Sequence, residues 1–210
     1  MTRHLPLRPD IDDGIDRKVL TQLRARFMRI NHGRLQRAMQ ALSSRQQRVL
    51  TLLPLLFHVN HPLLPGYVSA QTPAGLAGFE PGAELLAEAQ RLTRSFAYKP
   101  PRAPAPTPIH GLFLMGSLGT LAQAEQSDMD LWVCHASELD SDARDALRRK
   151  CDLLQSWAAS QGAEAHFFLI DPERFRSGAR DAQLTSDDCG TTQHVLLLDE
   201  FYRTAIWLAG

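Results

Sequence analysis

Apolar residues recur at helical spacing near the start of the chain: Leu20, Leu23, Phe27 and Ile30, then Leu35, Ala38, Met39 and Leu42. This periodicity predicts a helix over 16–42, with Asn31-His32-Gly33 as the place where it bends or breaks. Residues 46–57 are apolar nearly all round, which predicts a buried helix that Pro54 kinks or ends. A stretch rich in Gly and Pro, 61–81, reads as a long structured loop, and 84–96 as a short helix with Leu85, Leu86, Ala89 and Leu92 inward. The proline-rich run 99–108 is a stiff, extended linker.

Beyond the linker the strand period takes over. Residues 112–115 form a buried strand that ends in the turn Gly116-Ser117. After ten intervening residues a second strand, 128–133, opens with Asp128 and Asp130. Strand side chains alternate, so these two carboxylates share one face while Met129, Leu131 and Val133 face the core. Ser141 reads as the cap of a helix carrying the stripe Leu147, Cys151, Leu154 and Ala158, which ends near Gly162. Residues 163–170 form a third strand closed by Asp171-Pro172, and a polar loop runs from Phe175 to Gly190. The last helix is expected over 191–208. The fold class is α+β: a small mixed sheet backed by helices. Its expected parts are an N-terminal helical subdomain (1–98), the linker (99–108) and a core that carries the chemistry (109–210).

Charge changes the picture little. Lys plus Arg and Asp plus Glu number 23 each, so nothing pulls the chain as a whole toward nucleic acid or an anionic membrane. Arg34, Arg37, Arg45 and Arg48 gather on one helical face without interleaved aromatics, and are read as a solvent face. Cys134, Cys151 and Cys189 are odd in number and far apart, which gives neither a zinc ribbon nor a disulfide framework. No apolar run follows Met1, and the longest apolar stretch, 52–57, is too short to span a bilayer. A cytoplasmic protein with reduced thiols is expected. His58 and His61 precede Pro62 without a third ligand nearby and are read as loop histidines.

The candidate chemistry lies at the glycine turn and the paired aspartates. Neighbouring carboxylates repel each other unless a cation sits between them, and a hard divalent ion shared with phosphate oxygens is the usual solution. Gly116 allows close approach of a ligand, and Ser117 and Ser127 offer hydroxyls to phosphate. Phosphoryl chemistry with two ions needs a third carboxylate. Glu164 and Asp171 are the candidates, of opposite strand parity. Glu164, between Ala163 and Ala165, is preferred, and Asp171 before proline reads as a turn or cap. Trp132 falls on the carboxylate face, as a wall of the site, a surface for adenine, or simply core. Lys99 and Arg102 stand just before the first strand, within reach of a triphosphate or as ordinary linker charges.

Gly116-Ser117 followed by Asp128-x-Asp130 resembles the signature of the polymerase-beta-like nucleotidyltransferase superfamily. The wider text, Phe113-Leu114-Met115-Gly116-Ser117, 127–135 (SDMDLWVCH), 167–171 (FFLID) and 198–205 (LDEFYRTA), resembles the N-terminal catalytic region of class I bacterial adenylate cyclases. The resemblance implies a nucleotidyltransferase-like sheet and conversion of ATP to 3′,5′-cyclic AMP and pyrophosphate. It implies Asp128, Asp130 and Glu164 as catalytic residues holding Mg2+, with Mn2+ as a substitute. Gly116, Ser117, Ser127 and Trp132 are implied on the nucleotide. A different nucleotidyl acceptor, or nucleotide binding without turnover, is the alternative. ATP is the expected partner, without nucleic acid or a membrane span, and with room for a regulatory domain or protein. Class I cyclases are much longer, and 191–208 as an apolar helix would need a cover, so this chain alone is expected to bind ATP and to form cyclic AMP slowly, if at all.

Overall fold

The computed structural model describes residues 16–100, 107–116, 118, 128–177 and 198–210. The first helix, α1, spans Arg17–Ala41. Asp16 caps it by accepting from the Val19 amide, and it runs through Asn31-His32-Gly33 as one continuous helix. Only its second half is covered. Ala38 is fully buried with Leu35, Met39 and Leu42 against the core, whereas Leu20, Phe27 and Ile30 are each at least half exposed.

α2 spans Ser44–His58. A capping box formed by Ser43 and Gln46 fixes its start. Pro54 lies inside it and neither ends nor shortens it. Leu52, Leu53, Leu55 and Leu56 are fully buried, each worth about 1.5–3 kcal/mol of apolar burial. α3 spans Ala83–Leu92 and stops earlier than the expected 96. Within the Gly- and Pro-rich loop between them, residues 75–77 bond to the first strand, Ala77 N donating to Ile109 O and Ile109 N to Gly75 O.

The sheet has four strands, β1 (Ile109–Met115), β2 (Met129–His135), β3 (Ala165–Ile170) and β4 (Ile206–Ala209), in the order β3-β2-β1-β4. β1 is antiparallel to both β2 and β4, and β2 and β3 are parallel, so the sheet is mixed. The parallel pair needs a crossover, which is α4, Ser141–Ser160. Asp140 rather than Ser141 caps α4, its side chain accepting from the Ala143 amide. The stripe Leu147, Cys151, Leu154 and Ala158 is buried as the periodicity predicts. Helix α5, Pro172–Arg176, follows β3 and takes in Phe175 and Arg176, the first two residues of the expected polar loop.

The C-terminal segment departs from expectation. Residues 198–204 are helical, but Ile206 and Trp207 lie in β4, the edge strand beside β1. Residues 191–197 of the expected helix lie outside the described residues. Ile206 is fully buried in the core that the sheet shares with α2 and α4, so the apolar cover sought for a helix is supplied to a strand instead. α1 clasps the far side of β4: Asn31 Nδ2 donates to Trp207 O at 2.8 Å, and Trp207 N donates to Asn31 Oδ1 at 2.7 Å. Arg34 donates to the carbonyls of Thr204 and Ala205, so it is not a solvent-face arginine. Arg48 is likewise engaged, with Glu88 at 2.6 Å.

The inward face of the sheet, Leu112, Leu114, Met129, Leu131, Val133 and Ile206 among others, joins α2 and α4 in one continuous apolar cluster. Helices from before residue 99 and strands from after 108 therefore meet in the same core. Residues 101–106 of the expected linker lie outside the described residues. The opposite face of the sheet carries the candidate site.

Candidate active site

β1 ends at Met115, which pairs with Asp130 across the antiparallel ladder. Gly116 follows with φ +83°, a left-handed turn that glycine adopts without strain. A Cβ built there would stand 3.3 Å from Asp130 Oδ2, so the turn and the carboxylate are in close contact. The glycine thereby brings bare backbone against the acidic group.

Asp128 is exposed at the entrance to β2. Met129 N donates to Glu164 O at 2.9 Å and Met129 pairs with Ala165, which sets Glu164 beside Asp128. In the same parallel register Asp130 pairs with His166. Ligand atoms of Asp128, Glu164 and His166 lie within 4.8 Å of one another. His166 Nε2 is 3.5 Å from Glu164 Oε1. Asp130 is set back from this group and half-buried. Burial raises its pKa, the Asp128 charge adds to that rise, and His166 opposes it. A cation near these groups would relieve both the burial cost and the repulsion, so the donor set fits a divalent ion.

Asp171 belongs elsewhere. It caps α5 at the far end of β3, accepting from Ser137 Oγ at 2.8 Å and from the amides of Glu173 and Arg174. Burial pushes its pKa up, but these bonds and His135 outweigh burial and hold it below the usual carboxylate value. Glu164, not Asp171, shares a face with Asp128 and Asp130.

Trp132 stands two residues beyond Asp130 on the same face and is 4% exposed. It stacks on Phe201 at 5.5 Å with an interplanar angle of 18°, and meets Phe175 edge-on at 5.3 Å. With Met115 and Ile170 it forms a second, smaller apolar cluster behind the carboxylates. Its indole is a floor to this face rather than an open surface. Ser117, Ser127 and Arg102 lie outside the described residues, and Lys99 is exposed.

His166 is the residue that reasoning from sequence missed. The signal was available: it follows Glu164 by two positions and so shares its strand parity. His58 and His61 are structural. His58 Nδ1 accepts from the Leu76 amide, its Nε2 lies 3.2 Å from Tyr98 Oη, and His61 Nδ1 accepts from the Leu63 amide.

Fold and face together define an α+β domain with a carboxylate–imidazole group at one end of a mixed sheet, beside a glycine turn. The chain belongs to the family described as adenylate cyclase NT domain, which residues 19–210 match. It is 46% identical over 191 residues to an adenylate cyclase of Escherichia coli K12 and to one of Salmonella typhimurium LT2. It is 44% identical over 192 residues to one of Yersinia pestis. Each match covers 90% of this chain and 22% of the relative, so the chain spans about a fifth of the length of these proteins. No solved structure matches.

Proposed function

We propose that this chain is the nucleotide- and metal-binding catalytic region of an adenylate cyclase, forming cyclic AMP and pyrophosphate from ATP. The observation that supports the reading is the cluster of Asp128, Glu164 and His166 at one end of the sheet, with Asp130 against the Gly116 turn, in a chain of this family. The relatives named adenylate cyclase support the substrate. Among the described residues no helix is long and apolar enough to cross a membrane. The reading carries with it Mg2+, or Mn2+ in its place, a cytoplasmic setting, and no nucleic-acid partner. It also carries the division into a helical subdomain (1–98), a linker (99–108) and a catalytic core (109–210), with a regulatory domain or protein acting on it.

Asp128, Asp130 and Glu164 are the residues that would hold the ions. Divalent ions held there would supply Lewis-acid chemistry toward the ribose 3′-hydroxyl and the leaving pyrophosphate. In the reaction the 3′-hydroxyl gives up its proton to water as its oxygen bonds to the α-phosphorus, and the bond from that phosphorus to the bridging oxygen breaks to release pyrophosphate. Gly116 offers phosphate oxygens an approach to the backbone without a side chain in the way, and Ser117 and Ser127 supply hydroxyls. Trp132 keeps the floor of the face dry and rigid through its contacts with Phe201 and Phe175. Nucleophile and electrophile belong to one molecule, so the task of the chain is to hold ATP in the reactive shape.

The test is incubation of the chain with labelled ATP and Mg2+, with chromatographic detection of cyclic AMP, alongside Asp128→Asn and Asp130→Asn. The expected outcome is a cyclic AMP product that either substitution lowers by at least about a hundredfold while the fold is retained. Label transferred to an acceptor in place of cyclic AMP, or variants that bind Mg-ATP like the parent, would overturn the reading.

A further inference from the structure

The ligand set at the entrance to β2 and β3 is not made of oxygen alone. Three side chains bring their ligand atoms within 4.8 Å of one another, and the third, beside Asp128 and Glu164, is an imidazole. Asp130 is not among the three; it stands back against the Gly116 turn.

The backbone dictates this arrangement. β3 runs parallel to β2, with Met129 opposite Ala165 and Asp130 opposite His166. Alternation along β3 then places Glu164 and His166 on the face of Asp128 and Asp130. Two residues apart on a strand, a carboxylate and an imidazole lean to a common point, and Asp128 reaches the same point from the neighbouring strand. His166 is not consumed by Glu164. At 3.5 Å the contact exceeds the roughly 2.7–2.9 Å of a charge-assisted hydrogen bond. Its side chain is 39% exposed.

This composition bears on which ion the face selects. Magnesium is a hard cation that takes oxygen donors in a strict octahedron and keeps much of its water. Imidazole suits zinc, copper, iron and nickel best, and manganese stands at the weak end of the same first-row series. Manganese shares the octahedral phosphate chemistry of magnesium and also accepts a ring nitrogen.

We propose that Asp128, Glu164 and His166 form a mixed oxygen–nitrogen centre that binds Mn2+ in preference to Mg2+, with His166 Nε2 as the donor that sets the preference. The proposal rests on the reading of this face as a metal site and deepens it: His166 is a specificity residue for the ion.

Pulsed electron paramagnetic resonance of bound Mn2+ provides a readout independent of turnover, because a directly coordinated imidazole imprints nitrogen-14 modulation on the electron spin echo. The experiment uses the whole chain purified without a histidine tag, Mn2+, and tripolyphosphate, which mimics the triphosphate but contains no nitrogen. The parent is expected to show the modulation, and His166→Ala and His166→Gln to lose it while still binding Mn2+. In competition titrations both variants are expected to lower the ratio of Mn2+ to Mg2+ affinity by about tenfold, the low end of the loss for a metal-site partner. If the parent binds Mn2+ without nitrogen modulation and Asp128→Asn releases the ion, the metal face stands and the role of His166 is overturned. If the parent does not bind Mn2+, or Asp128→Asn and Glu164→Gln bind it as the parent does, the metal-face reading falls and this inference with it.

Discussion

Replacing Lys150 by methionine measures the cost of burying a charge in the helix that backs the sheet. Lys150 sits on α4 with 1% of its surface exposed, beside Cys151 and Leu154. Its Cγ is 3.3 Å from where a Cβ on Gly66 would lie, so the loop closes over its stem. Among the described residues no carboxylate forms an ion pair with it. Burial pushes its pKa from 10.5 down to about 8, against a smaller opposing pull from the Cys151 thiol.

The gap between those two values corresponds to about 3 kcal/mol of folding free energy, an upper bound because relaxation and water entry reduce it. The sign follows from which state holds the proton. At pH 7 the ammonium is charged in both states, and the folded chain bears the whole cost. Above about pH 8 the folded lysine discharges while the unfolded chain keeps its proton up to 10.5, so this contribution to stability rises through that window.

Lys150→Met is therefore expected to be more stable than the parent at pH 7 by up to about 3 kcal/mol. That is on the order of 1 M in the urea midpoint. The advantage should shrink by about 1 kcal/mol between pH 7 and pH 9 as the parent's lysine discharges. The buried thiols of Cys134 and Cys151, each pushed up from 9.0 to about 12, work the other way. Their stabilising share is complete below pH 9 and is lost as pH climbs toward 12, and Lys150 itself lowers the Cys151 value, so the comparison stops at pH 9. Equilibrium urea unfolding at pH 7, 8 and 9 checks the prediction. A variant no more stable than the parent at pH 7, or an advantage that does not change with pH, would refute the reasoning.

Gly116→Ala places a Cβ at φ +83° and 3.3 Å from Asp130 Oδ2. It is expected to cost about 1–2 kcal/mol in denaturant unfolding and to weaken metal–triphosphate binding, and parental values for both would show that the turn relaxes freely. Asn31→Ala strips both backbone bonds from Trp207; a loss of about 1–3 kcal/mol and faster exchange of the Trp207 amide are expected, whereas unchanged exchange would deny the clasp. Glu164→Gln should weaken Mn2+ binding with little effect on stability. Asp171→Ala should do the reverse, since it removes a helix cap worth about 1 kcal/mol, and the opposite order would exchange the two roles.

Much of this arrangement follows from local periodicity. The span of α1, the all-round burial of α2, the stripe of α4 and the facing of Asp128 and Asp130 depend on residues two to four positions apart, and sequence displays those directly. Parity alone also put Glu164 on the side of a strand opposite to Asp171. What depended on distant partners was decided by the tertiary structure. The run Ile206-Trp207-Leu208-Ala209 has no period to separate helix from strand, and it is β1 and Asn31 that draw it into the sheet. Trp132 has the parity of a site residue, but only Phe201 and Phe175 arriving from later in the chain make it a covered floor. Arg34 reads as a surface charge until the carbonyls of Thr204 and Ala205 come to rest against it. His166 gains its meaning from register: its parity matched Glu164, but the parallel pairing of β3 with β2 set it opposite Asp130 and within reach of Asp128. Register between strands is fixed by hydrogen bonds and side-chain fit across more than thirty intervening residues, and no window of local sequence contains both partners.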